Sequence, residues 1–288
     1  MSINDPEIER RFVDTAQGQF HVRCSRQVPS ASALPLVMLH ASPASAQTLD
    51  PLLKGIGKYR RCFAPDTMGF GDSAPPPMET PEAADYANWV LQAIDALGLD
   101  RFHLYGSHTG AHIAVEAALQ QPDRIEKLVL DGMAMFTPEE QSDVLQHYAP
   151  AIVPDEIGSQ LNWAWHFIRD QAVYFPYFHR TASHLRGADM LPPELLHELT
   201  VDVLKGLTTY HLGYRAAFRH SGRERLPLVE HSVLVTAELS DPLHVNAELV
   251  ASLLSNGELW LTPASSDVGA RAQKIAGIEK FLNSGKTK

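Results

Sequence analysis

Along this chain the apolar residues change rhythm twice, and the changes mark out its elements. Between residues 11 and 26 apolar and polar positions alternate around Gln17-Gly18, a period of two that predicts a β-hairpin. Residues 34–40 then form a nearly continuous apolar run ending in a Ser/Pro/Ala loop, as expected of a strand covered on both faces. Residues 48–56 predict a short amphipathic helix and 61–65 the next strand. Thr80 as cap and Pro81 at the first helical position predict a helix start, with apolar residues at 86, 90, 91, 94 and 97 keeping helical spacing. A strand at 101–105, a glycine-flanked turn at 106–110, a helix at 111–121 and a strand at 127–130 follow. Strands alternating with helices imply a mostly parallel sheet covered on both sides.

After Met135 the pattern becomes helical, rich in aromatics and histidine and broken by prolines, with no strand candidate up to residue 223. Strands resume at 232–236 and 258–262, and 270–282 predicts a closing helix. The expected organisation is an α/β core of residues 1–136 and 224–288, with a mostly parallel central sheet flanked by helices and a helical cap insertion at 137–223. No internal repeat or low-complexity segment is present, and 284–288 reads as a loose tail.

Composition narrows the partners. In 288 residues, 34 acidic and 24 basic side chains give a formal charge of -10, which disfavours nucleic acid and anionic membrane as partners. No apolar stretch approaches the roughly 18 residues of a bilayer span. Residues 1–11 are charged and lack the apolar run of a signal peptide, so a cytoplasmic location is expected. Cys24 and Cys62 fall inside predicted strands and read as free, buried thiols.

Four motifs carry chemistry. Leu39-His40-Ala41-Ser42-Pro43 follows the first buried strand; Ala64-Pro65-Asp66-Thr67-Met68-Gly69-Phe70-Gly71-Asp72-Ser73 is a glycine-rich turn. Gly106-Ser107-His108-Thr109-Gly110 joins a strand to a helix, and Glu238-Leu239-Ser240-Asp241-Pro242-Leu243-His244 follows a late strand. In this order and spacing they resemble the α/β-hydrolase superfamily with a helical cap, the group of esterases, haloalkane dehalogenases and carbon–carbon bond hydrolases, over residues 11–283. The resemblance implies a nucleophile elbow at 106–110, an oxyanion hole from the Ser42 and Thr109 amides beside His40, and an acid at Asp241.

The catalytic set departs from the family's. Both glycines put His108 where the nucleophile stands and Ser107 one place before it. No histidine follows His244, so the family's late general base is missing. A serine hydroxyl then has nothing to take its proton. A histidine longer than serine reaches toward the space of the missing ring and meets Asp241, and the helix N-terminus at 109 favours a neutral ring. Asp131, at a strand end, is a second candidate acid, and Asp267 lies near the missing histidine's position. Trp163, Trp165 and His166 are candidates for the pocket wall from the cap. His40, His108 and Asp241 are metal-ligand types, but the resemblance implies neither metal nor cofactor. The expectation is an enzyme using a His108–Asp241 dyad on a small carbonyl-containing substrate. The alternatives are a noncatalytic ligand receptor on the same fold, or an esterase working through Ser107 or a water activated by His108. Oligomeric state stays open.

Overall fold

A computed structural model describes residues 7–26, 33–187, 189–264 and 267–285. The first six residues and the last three of the predicted tail therefore lie outside the described residues. Eight strands form one sheet: β1 (Ile8–Thr15), β2 (Gly18–Ser25), β3 (Leu36–Leu39), β4 (Cys62–Pro65), β5 (Phe102–Ser107), β6 (Ile125–Asp131), β7 (Ser232–Glu238) and β8 (Gly257–Thr262). Their spatial order is β1-β2-β4-β3-β5-β6-β7-β8. The β1–β2 hairpin joins antiparallel at one edge, and every pairing from β4 to β8 is parallel.

The helices of the core are α1 (Asp50–Ile56), α2 (Ala83–Ala96), α3 (Thr109–Gln120), α9 (Ala247–Leu253) and α10 (Ala270–Asn283). The period-two geometry of strands explains why the central runs are apolar throughout. Val37, Leu104, Leu128 and Val233 face one way, against Val90, Ile94 and Ile113 of α2 and α3. Their neighbours Leu36, Tyr105, Val129 and Leu234 face the other way, against Leu53 of α1 and Ile278 and Phe281 of α10. Cys24 and Cys62 are free and buried within β2 and β4.

Between β6 and β7 the chain forms α4 (Pro138–His147), α5 (Ser159–Val173), α6 (Pro193–Lys205), α7 (Tyr210–Arg219) and the short α8 (Gly222–Arg225). These carry an aromatic cluster of their own, built on Tyr148, Phe167, Tyr177, Tyr210 and Tyr214. One expected boundary is corrected. Helix α2 starts at Ala83 instead of Pro81, because a capping box between Glu82 and Asp85 satisfies its first amides. Among the described residues no helix is long and apolar enough to cross a membrane.

Candidate active site

The chain leaves β3 toward β4 on one side and returns to β5 on the other. Loops at the carboxyl ends of β3 and β5 therefore diverge, and an open α/β sheet leaves its binding crevice there. A cavity of about 550 Å³ occupies this place, lined by Ser42, His108, Thr109 and Asp241 among others. That size suits a small molecule.

The elbow is set by close approach. A Cβ on Gly106 would come within 2.2 Å of the Gly110 carbonyl oxygen, and one on Gly110 within 2.4 Å of the Leu39 oxygen. His108 at the tip has φ 49° and ψ -111°, the one non-glycine positive φ among the described residues. The Asp131 carbonyl accepts its N–H at 2.9 Å, and its own carbonyl accepts the Ala111 N–H at 2.9 Å. Ser107 is the last residue of β5, half-buried, opposite Asp131 in register and on the cavity wall.

Asp241 follows β7, where its Oδ1 accepts the Leu243 N–H at 2.9 Å and fixes the turn. Its Oδ2 accepts from His108 Nε2 at 2.6 Å. Among the described residues His108 Nδ1 has no hydrogen-bond partner, and the side chain is 38% exposed. Gly132 lies between the pair: with φ +64°, a Cβ there would fall 2.7 Å from His108 Nε2 and 2.8 Å from Asp241 Oδ2.

Burial alone would lower the His108 pKa. The Asp241 carboxylate, its hydrogen bond and the nearby Asp131 outweigh burial and raise it above 6.5. For Asp241 burial pushes upward, while His108 and the Leu243 amide bring it below 3.8. The downward pull expected from the helix dipole is thus outweighed. A full carboxylate charge in contact outweighs the half charge at a helix end.

Ser42 and Thr109 are buried at the cavity edge. Thr109 opens α3, so its N–H has no intrahelical acceptor. Neither its N–H nor that of Ser42 has an acceptor among the described residues. His40 is not on the cavity wall. Its Nδ1–H donates to the Ala41 carbonyl at 2.9 Å and its Nε2 accepts the Thr67 N–H at 2.9 Å, so both nitrogens order the loop. That also removes it from any metal set with His108 and Asp241.

Asp131 reaches the cavity but not the His108 ring by a hydrogen bond. It pairs with Lys274 Nζ at 2.8 Å and accepts the Tyr105 hydroxyl, while Lys274 also reaches Glu238 at 3.2 Å. Tyr105, Glu238 and Lys274 line the cavity, and so does His112. Sequence reasoning missed all four. For His112 the signal was present, since a histidine four residues after His108 returns to the same helix face. For Lys274 only the charge at the end of β6 hinted at a partner.

Three other expectations are corrected. Asp267 is exposed in the turn after β8 and absent from the cavity wall, where Pro263, Ala270 and Arg271 stand instead. Trp163 and Trp165 pack into the aromatic cluster, Trp163 stacking on Phe167 at 4.8 Å, because the α5 apolar face turns toward neighbouring helices. His166 beside them is half-buried and also off the wall. Tyr148, Phe175, Tyr214 and Phe218 reach the cavity from this region.

His21, Asp66 and Asp72 have the spacing of a metal site. Arg10 already donates to His21 at 3.0 Å and to Asp72 at 2.7 Å, and Lys205 donates to Asp72 at 2.8 Å. Cationic side chains hold the place a metal would take.

Comparison with known proteins agrees with this architecture. A family model described as the alpha/beta hydrolase fold matches residues 35–164. An uncharacterised carboxylesterase of Bacillus subtilis is 27% identical over 168 residues, 58% of this chain and 54% of the relative. A 2-hydroxymuconate semialdehyde hydrolase of Pseudomonas sp. is 33% identical over 158 residues, 51% of this chain and 52% of the relative. The chain thus matches about half the length of these curated relatives. The crystal structure of a hydrolase from Pseudomonas aeruginosa superposes with a TM-score of 0.69 at 20% identity, covering 99% of this chain and 100% of the other. The chain thus has the α/β-hydrolase fold, and its residues 35–164 are similar to that family's members.

Proposed function

We propose that the cavity carries out acid–base chemistry, of hydrolase or lyase type and without a cofactor, on a small, partly apolar, carbonyl-containing substrate. The observation that carries this reading is the 2.6 Å contact between His108 Nε2 and Asp241 Oδ2 at the elbow tip. Asp241 orients the ring through Nε2–H, and Nδ1 is left to exchange a proton or to attack a carbonyl carbon. The Ser42 and Thr109 amides supply donors for the oxygen on which negative charge develops. Residues 137–223 serve as the cap, and their aromatic side chains shield the reacting atoms from water. The names of the two curated relatives, a carboxylesterase and a semialdehyde hydrolase, belong to carbonyl chemistry and support the substrate class.

A second reading is favoured by the lack of any histidine after His244. In it the cavity binds a small ligand and turns nothing over. A screen of 4-nitrophenyl esters and small β-diketones, run on the wild type beside His108→Ala with thermal-shift binding in parallel, separates the two. Turnover lost in a folded His108→Ala protein is the expected result. Equal turnover in both proteins overturns the dyad, and binding without turnover makes the protein a receptor.

A further inference from the structure

A second line of titratable groups starts on the same cavity and is not used by the dyad. His112 is 3% exposed and lines the cavity one helical turn beyond His108. Its Nδ1 lies 3.0 Å from Nδ1 of His220, which follows α7. His220 Nε2 lies 2.9 Å from Glu116 Oε1, and Arg225 grips both oxygens of Glu116 at 2.7 and 2.8 Å. His220 and Glu116 side chains are 4% and 5% exposed, so the chain runs through the protein interior to Arg225 at the surface.

The hydrogen positions follow from the acceptors. Burial would push the Glu116 carboxyl up, but His220 and Arg225 hold it down at about 2, so it is an anion. His220 therefore donates from Nε2, and in the neutral form of its ring Nδ1 is an acceptor. Against that form His112 donates from Nδ1 and keeps a lone pair on Nε2. That nitrogen has no partner among the described residues and is not a sealed, unsatisfied atom. His112 itself lines the cavity.

We propose that His112 is a general base of this cavity and that His220 and Glu116 form a proton relay behind it. The proposal rests on the acid–base reading given above. A substrate C–H next to a carbonyl gives its proton to His112 Nε2, and the bonding pair stays on the substrate as an enolate. The Nδ1–H of His112 crosses the 3.0 Å bridge to His220 Nδ1, so His112 stays neutral. His220 becomes an imidazolium held by Glu116, and the reverse shift returns the proton to product. The enolate oxygen faces the Ser42 and Thr109 amides. His220 and Glu116 are positioning residues, since neither lies on the cavity wall.

The surroundings agree with this role. Burial, the largest effect on His112, keeps its pKa well below 6.5. A ring held neutral in this way suits a group that takes up a proton at one nitrogen and passes one on from the other.

Long-range proton–nitrogen spectra of protein labelled with 15N in its histidine rings test the relay without needing turnover. His112 is expected as the neutral Nδ1–H tautomer between pH 6 and 9, with that preference lost in His220→Gln. An Nε2–H tautomer in the wild type, or one indifferent to His220→Gln, overturns the relay. Deuterium uptake next to the carbonyl of cyclohexanone in heavy water tests the base. The rate is expected to fall about 100-fold in His112→Gln, and in His220→Gln to fall less with a shifted pH profile. An unchanged rate in His112→Gln overturns the base assignment. If the wild type itself gives no uptake, the carbonyl reading of the cavity fails and the tautomer alone decides the relay.

Discussion

His108 Nε2 and Asp241 Oδ2 meet at 2.6 Å beside Gly132, the residue at which a side chain would strike both. The contact joins the tip of the elbow to the turn after β7, 133 residues later. It depends on a backbone position that only glycine fills without strain.

Gly132→Ala is therefore expected to separate the pair. Its Cβ would meet His108 and Asp241 atoms at under 3 Å, at φ +64°. A loss of about 1–3 kcal/mol in urea denaturation is expected from strain at this φ. The His108 ring resonances should also shift toward those of Asp241→Asn. A variant as stable as wild type with an unaltered His108 titration contradicts this.

Asp241→Asn removes the main charge that raises the His108 pKa, leaving burial to lower it against the weaker pull of Asp131. The His108 titration midpoint, followed by proton NMR, is expected to drop. The sign of the stability effect follows from both partners. A ring whose pKa is raised on folding stabilises the protein fully below 6.5, and this is lost as pH rises through the folded value. A carboxyl whose pKa is lowered on folding stabilises above 3.8, and this is lost as pH falls through the folded value. The stability gap between wild type and variant should thus be widest between those two limits. A gap that grows above neutrality rules the ion pair out.

Lys274→Met is expected to be costly. It leaves Asp131, 6% exposed, and Glu238, 25% exposed, without their shared ammonium. Removing one partner of a buried pair typically costs about 3–5 kcal/mol. Denaturation at neutral pH should show a loss of that order, shrinking in acid as the carboxylates take up protons. Because Lys274 also lowers the His108 pKa, the variant's His108 midpoint should rise. No change in either quantity argues against the buried network.

Serine-directed fluorophosphonates are expected to leave Ser107 unlabelled. The residue sits in β5 one position before the elbow tip, and no histidine follows His244 to take its proton. Mass spectrometry of a treated sample checks this. A covalent adduct on Ser107 restores serine esterase chemistry and displaces the dyad.

The sequence by itself determined the sheet, because apolar runs, glycine spacing and the alternation of strand and helix are local patterns that burial enforces. It also located the elbow, since Gly106 and Gly110 each have a backbone atom where a side chain would be. It brought His108 and Asp241 forward as candidates through the register of two motifs. What only tertiary structure decided was which groups face one another. Lys274, on the last helix, neutralises Asp131, and His220, after α7, reaches His112 on α3. These pairings join residues more than 100 positions apart, and no periodicity encodes them. The direction of the His108 pKa was decided in the same way. A helix end, readable in the sequence, lowers it, but a carboxylate in contact outweighs that, and folding alone makes the contact.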